Sequence, residues 1–269
     1  MLRFWILLLL LPGMAWAEGR RPSHCIAIAD ALPGAAFVQK AAFGDPVPEG
    51  LVRISYIDHS MFLIGTPGGL RAVTDYNGWT GLIDAVPDVV TMNHAHGTHW
   101  TAAPDPRIPH VLKGWGDAEG PADHHLDLGE MLIRNVPTDI RRGAGGVETG
   151  GNSIFVFEVE GLCIGHLGHL HHEPDAAQYA ALGRLDVVMV PVDGGMTLDL
   201  PTIIRVVERL RSSVVIPMHW FGPHTLSLFL GGLSERFAVE IRRGASIEVG
   251  LRTLPERPTV VVLQPMVLG

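Results

Sequence analysis

Covalent cross-links hold little of this chain together, because its 269 residues include only two cysteines, Cys25 and Cys163, which permit one disulfide at most. Positive charge is also short. Twenty Lys and Arg stand against 28 Asp and Glu, for a formal net charge of -8, which argues against nucleic-acid binding by phosphate neutralisation. No internal repeat and no low-complexity segment divides the chain, and its N-terminal apolar run is shorter than the roughly 20 residues of a bilayer span. What is plentiful is apolar surface and turn residues: 47% hydrophobic residues, 32 glycines and 20 prolines. That balance suits one large domain with many turns and a sizeable core, rather than a helical bundle or a disordered chain.

The first residues read as a targeting segment. Met1-Leu2-Arg3 supplies a positive start, Phe4 to Leu11 an apolar stretch, and Ala15-Trp16-Ala17 a small-x-small cleavage site. The expectation is a cleaved signal peptide at residues 1–17, one domain over 18–269, no stable membrane anchor after cleavage, and a periplasmic or secreted product. Export is compatible with a Cys25–Cys163 disulfide, whereas the apolar setting Leu162-Cys163-Ile164 equally suits a small buried hydrophobe.

Histidine carries the chemistry. Thr91-Met92-Asn93-His94-Ala95-His96-Gly97-Thr98-His99-Trp100 puts three histidines within six residues directly after a strand-like run. Two later segments offer more, again beside strand-like runs: Gly165-His166-Leu167-Gly168-His169-Leu170-His171-His172, and Ile216-Pro217-Met218-His219-Trp220. Three separated segments that each deliver imidazole from a strand end suggest one composite metal site. A three-nitrogen set with an open position describes a hydrolytic zinc centre.

These segments resemble the metallo-β-lactamase-fold hydrolases, in the branch with lactonase-like and phosphodiesterase-like members. That family carries a His-x-His-x-Asp-His motif, then a His-Leu-Gly-Asp-Leu-Gly-His-like segment, then a late strand ending in Pro-Met-His. The resemblance runs from about Leu51 to Trp220 and implies an α/β fold of the αββα four-layer sandwich type. It further implies metal ligands at His94, His96, His99, His166 and His219. Two positions depart from the pattern: Thr98 replaces the acid of the first motif, and His169 replaces the acid that bridges two metals.

The expectation that follows is one zinc site on His94, His96 and His166. A second is available from His99, His219 and His169, weakened by the loss of both carboxylates. Iron or manganese is not excluded as the metal. The implied reaction is attack by a metal-activated hydroxide on an ester, lactone, amide or phosphodiester of a small molecule, with Thr98 orienting water and His169 or Asp193 handling a proton. The alternative is a non-catalytic metal-binding or sensory protein on the same fold.

Other residues have two readings each. His59 either lines the site or occupies a turn; Asp75 supports ligand-bearing loops, as a family aspartate does; Asp193 is either a substitute acid or a turn residue beside Gly194 and Gly195. His172 matches the family's last histidine, and His171 stands where a glycine is usual. Trp79, Trp100, Trp115 and Trp220 either wall a pocket or fill the core. Arg141-Arg142 and the glycines that follow are expected to form a flexible loop, solvated or beside an anionic substrate. Strands are expected at 51–57, 61–64, 70–74, 88–92, 131–136, 153–158, 162–165, 187–191 and 214–217. Helices are expected over 175–182 and from the Asp199 N-cap to Arg211. Patterning by itself implies only mixed α and β.

Overall fold

The computed structural model describes residues 20–27, 45–81 and 86–266; the expected signal peptide lies outside them. Strands are β1 Val52–Asp58, β2 Met61–Gly65, β3 Arg71–Val73, β4 Val89–Met92, β5 His110–Lys113, β6 His125–Asp127 and β7 Met131–Arg141. They continue as β8 Val147–Val159, β9 Leu162–His166, β10 Val187–Pro191, β11 Val214–Met218, β12 Ala238–Ile241, β13 Ser246–Val249 and β14 Thr259–Val262. Helices are α1 His24–Ala27, α2 Ala176–Leu182, α3 Leu200–Leu210 and α4 Pro223–Leu233.

Period-two patterning sorts these strands into two facing sheets. One runs β13-β1-β2-β3-β4-β5 and the other β12-β14-β11-β10-β9-β8-β7-β6. Val52, Ile54 and Tyr56 of β1 alternate toward the second sheet, where Phe155, Phe157 and Val159 of β8 meet them in one buried cluster. The intervening Ile154 and Val156 point outward into a second cluster with Ile203, Val206 and Val207 of α3 and Phe229 and Leu233 of α4. The runs Val187–Pro191 and Val214–Met218 read as continuous apolar stretches because both faces of these parallel strands are buried. This is the expected sheet-on-sheet core with outer helices. Among the described residues α2, α3 and α4 all pack on the eight-stranded sheet, and loop residues such as Trp100 and Trp115 cover the other.

Each expected strand and helix forms. Asp199 caps α3 by accepting from the Thr202 N–H at 3.0 Å, and Asp175 caps α2 in a reciprocal pair with Gln178. The glycine-rich stretch is a correction. It is the tip of a long β7–β8 hairpin, with only residues 142–146 outside the strands, because both flanks contribute alternating residues to the ladder. Arg141 and Arg142 do not wait for an anion: Arg142 pairs with Glu148 at 3.0 Å, and the Arg141 guanidinium donates to the carbonyls of Thr197 at 2.6 Å and Gly195 at 3.2 Å.

Of the two readings for the cysteines, the disulfide is the one formed: Cys25 and Cys163 are bonded, with Cα atoms 5.8 Å apart. Polar contacts converge beside it. The buried Glu158 carboxylate accepts from Ser23, from the His24 N–H at 3.0 Å and from the Arg134 guanidinium at 2.8 Å, while Arg134 also donates to the Ala181 and Leu182 carbonyls that end α2. A covalent clip and a buried charge pair thus fasten the N-terminal segment to β8 and β9. Closing a loop of 138 residues in the unfolded chain is worth roughly 2–5 kcal/mol. The Cys25→Ala/Cys163→Ala variant is therefore expected to melt roughly 5–15 °C lower by scanning calorimetry without reductant. An unchanged midpoint would mean that the polar contacts hold the segment unaided.

Candidate metal centre

The chain's histidines meet where strands end. β9, β10 and β11 run parallel, so their C-terminal ends open on one side of the sheet; His169 follows β9, Asp193 follows β10, and His219 follows β11. From the facing sheet come His94 after β4, Asp75 after β3 and His59 on the β1–β2 turn. His59, Asp75 and His219 all hold left-handed backbone, at φ 49°, 52° and 56°. Such conformations cost of order 1–3 kcal/mol each in a non-glycine residue and persist where surrounding contacts over-determine them. Here the His219 N–H donates to the His59 carbonyl at 2.8 Å, and the Tyr56 hydroxyl donates to the same oxygen at 2.5 Å.

His169 occupies the middle. Its ring centroid lies 4.5 Å from His99, 5.4 Å from His219, 5.5 Å from His94 and 5.6 Å from His96. His94, His96 and His169 form one flank with nearly parallel rings. On the other flank, one ring nitrogen each from His59, His99 and His219 lies within 4.8 Å of the others. His96 and Thr98 are exposed on the turn between His94 and His99.

Hydrogen bonds behind the rings decide which nitrogen faces the pocket. His94 Nδ1 lies 2.6 Å from the Gly151 carbonyl, His99 Nδ1 2.5 Å from Asp75 Oδ2, and His219 Nδ1 2.8 Å from Asp193 Oδ2. Each of these oxygens only accepts, so each Nδ1 carries a proton, and in the neutral ring each Nε2 presents a bare lone pair. His99 Nε2, His59 Nε2 and His169 Nδ1 are buried without a partner in the protein. An unsatisfied buried polar atom costs about 1–3 kcal/mol, and several converging on one space make a nitrogen donor set that a borderline divalent cation satisfies. The residues therefore fit a metal.

Two expected site residues are placed differently. His166 does not join His94 and His96: its Nε2 donates to the Ser60 carbonyl at 2.7 Å, and its Nδ1 accepts from Asn93 Nδ2 at 3.1 Å and from the Gly168 N–H at 3.2 Å. With both nitrogens engaged and the ring fully buried, it ties β9 to the β1–β2 turn instead of offering a ligand. Gly168 is needed for this bend. At φ 60° a Cβ there would lie 2.5 Å from Asn93 Nδ2 and 2.7 Å from Asn152 Oδ1. Asp193 is neither base nor ligand in this arrangement, because its oxygens accept from the Gly195 N–H, the Thr197 N–H and hydroxyl, and His219.

His59 fulfils both of its readings, a turn residue that lines the site, and His171, standing where a glycine is usual, joins it. Both sit among the rings, and His171 is 4.7 Å from His169. Two of the tryptophans, Trp100 and Trp115, meet edge to face at 5.8 Å beneath the first sheet, and Trp220 packs against the helices.

Burial lowers the pKa of several of these rings. Burial and the neighbouring His219 and His99 pull His59 down to about 3, burial and His99 pull His169 down to about 2, and burial lowers His94. Burial pushes the Asp75 carboxyl upward, but the charge and hydrogen bond of His99 outweigh it and hold the group below the usual carboxylate range. Burial acts on Asp193 in the same way and is outweighed by the hydrogen bonds from His219 and Thr197.

Known proteins supply an independent comparison. The family model described as a beta-lactamase superfamily domain matches residues 53–219. A UPF0173 metal-dependent hydrolase of Carboxydothermus hydrogenoformans is 30% identical over 191 residues, 63% of this chain and 84% of that protein. A UPF0173 protein of Pyrococcus abyssi is 25% identical over 220 residues, 71% of this chain and 91% of its own length. Among solved structures, a Thermotoga maritima protein described as a zinc-dependent hydrolase of the metallo-β-lactamase superfamily superposes with a TM-score of 0.59 at 25% identity. That match covers 79% of this chain and 98% of the other.

Two measurements test the geometry. Asp75→Asn and Asp193→Asn keep the shape but weaken the acceptor behind His99 and His219, and each is expected to lower zinc affinity 10- to 100-fold in chelator competition. In metal-free protein, His59 and His169 stay neutral in the fold while their unfolded counterparts protonate near 6.5. Their contribution is therefore complete above pH 6.5 and falls progressively as the pH drops toward the folded values. The melting temperature of the stripped protein should decline from pH 7 to pH 4.5, and a flat profile would contradict the buried neutral cluster.

Proposed function

This chain belongs to the metallo-β-lactamase superfamily, and on that premise we propose that it is an exported metal-dependent hydrolase acting on an ester, lactone, amide or phosphodiester of a small molecule. The observation that carries the reading is the convergence of bare imidazole nitrogens with their protons locked on the far side of each ring. His99, His219 and His59 would hold a cation, and His94, His96 and His169 offer further imidazoles beside it; zinc is the first choice for an all-imidazole set. A divalent cation bound there supplies Lewis acidity, polarising a substrate oxygen and acidifying water.

The protein's own residues do the positioning. Asp75 and Asp193 stand one ring behind the pocket, hydrogen-bonded to His99 and His219. Among the described residues no carboxylate joins the ring cluster in place of the acid lost at His169. That residue, held near 2 chiefly by burial and His99, suits a neutral ligand and not a proton acceptor at neutral pH. Thr98, exposed on the turn beside the cluster, is left as the hydroxyl that orients water. Export is supported by the Cys25–Cys163 disulfide, which persists in oxidising compartments.

The all-nitrogen pocket also favours a second reading, a metal binder without turnover. Both are tested by metal analysis of the mature protein together with hydrolysis of p-nitrophenyl acetate, a γ-lactone, nitrocefin and bis(p-nitrophenyl) phosphate. The hydrolase reading expects at least one equivalent of zinc and turnover of at least one probe, with His99→Ala losing both together. Turnover that survives complete metal stripping would sink it. Metal retained with no turnover, and turnover gained only in His169→Asp, would identify the binder.

A further inference from the structure

His171 differs from its neighbours in the direction of its hydrogen bond. It is 9% exposed, on the loop after β9, and its Nδ1 accepts the backbone N–H of Arg141 at 3.0 Å. An N–H behind the ring dictates the opposite tautomer from that of His94, His99 and His219: here Nδ1 is the bare nitrogen and Nε2 carries the proton. That Nε2–H is buried and has no partner in the protein, and the ring stands 4.7 Å from His169 at the centre of the cluster. A protonated nitrogen cannot ligate a cation. It can donate to an oxygen lying beside one.

We propose that His171 is a substrate-binding donor, whose Nε2–H takes the oxygen on which negative charge accumulates: the oxyanion of an attacked carbonyl or a non-bridging oxygen of a phosphoryl group. The proposal rests on the hydrolase reading for the presence of a cation but not for the tautomer. The donor is preorganised. Its backside partner is main chain of the β7–β8 hairpin, and the Arg141 side chain fastens that hairpin to the loop after β10 through the carbonyls of Gly195 and Thr197. A donor fixed in a water-poor pocket is worth more at the moment charge develops than one that must reorient.

Long-range 1H–15N NMR of the metal-free protein reads the tautomer directly. Nε2–H with a bare Nδ1 is expected for His171, and the reverse for His94, His99 and His219; Nδ1–H at His171 would overturn the proposal. Inorganic phosphate titrated into zinc-loaded protein then tests the donor. His171→Ala should keep its zinc content yet bind phosphate about tenfold or more weakly, and His171→Gln, which retains an N–H, should recover part of the loss. Phosphate affinity unchanged in His171→Ala, or zinc lost from it, would refute the donor role. Wild-type protein that takes up no zinc would refute the metal reading, and the tautomer would still decide this one.

Discussion

The site depends on what stands behind each ring. An imidazole has two nitrogens, and a neutral one has a single proton to place between them; the protein settles the placement with an acceptor at the back, a carbonyl for His94 and carboxylates for His99 and His219. Once that choice is made, the face turned to the pocket can only accept. The same logic run in reverse, with a main-chain N–H behind the ring, gives His171, like His166, the opposite tautomer. Acceptor and donor are thus the same residue type sorted by an oxygen or a nitrogen on the far side.

Holding those partners in place falls to the fold. Parallel strands β9, β10 and β11 end together, and the loops that leave them bring His169, Asp193 and His219 to one edge, while the facing sheet contributes Asp75, His94 and His99. His166 joins the two sheets at that edge through the Ser60 carbonyl, and Asn93 and Asn152 brace the bend on either side of Gly168. Left-handed backbone at His59, Asp75 and His219 shows where that framework overrides local preference.

Much of this was legible in the sequence, and the limits have physical causes. Apolar runs and caps located the two-sided strands and the helices α2 and α3, because burial on both faces and an Asp at the N-cap leave strong local marks. Strands β5, β6, β12, β13 and β14 were not foreseen: each has only three or four residues, and all but β14 are only partly buried, so the alternation is faint. Helix α4 lacks a side-chain cap and is apolar nearly all round, which hides its period. Three separated histidine segments correctly implied convergence, since only a strand-end geometry makes such spacing useful. Their partition was not legible. The family resemblance placed His166 with His94 and His96, whereas the strand direction turns its ring into the interior, and His59, open between a turn and a site residue, is both.

Arg141 joins two of these controls in one residue. Its main-chain N–H sets the proton on His171, and its guanidinium holds the loop whose Asp193 sets the proton on His219. Any drift of the hairpin tip therefore reaches a donating ring and an accepting ring together, so the two cannot be retuned separately by substitutions along that hairpin. Adaptation to a new substrate that leaves both protons in place would begin elsewhere, for instance at the exposed Phe221, whose ring lies 5.4 Å from that of His59.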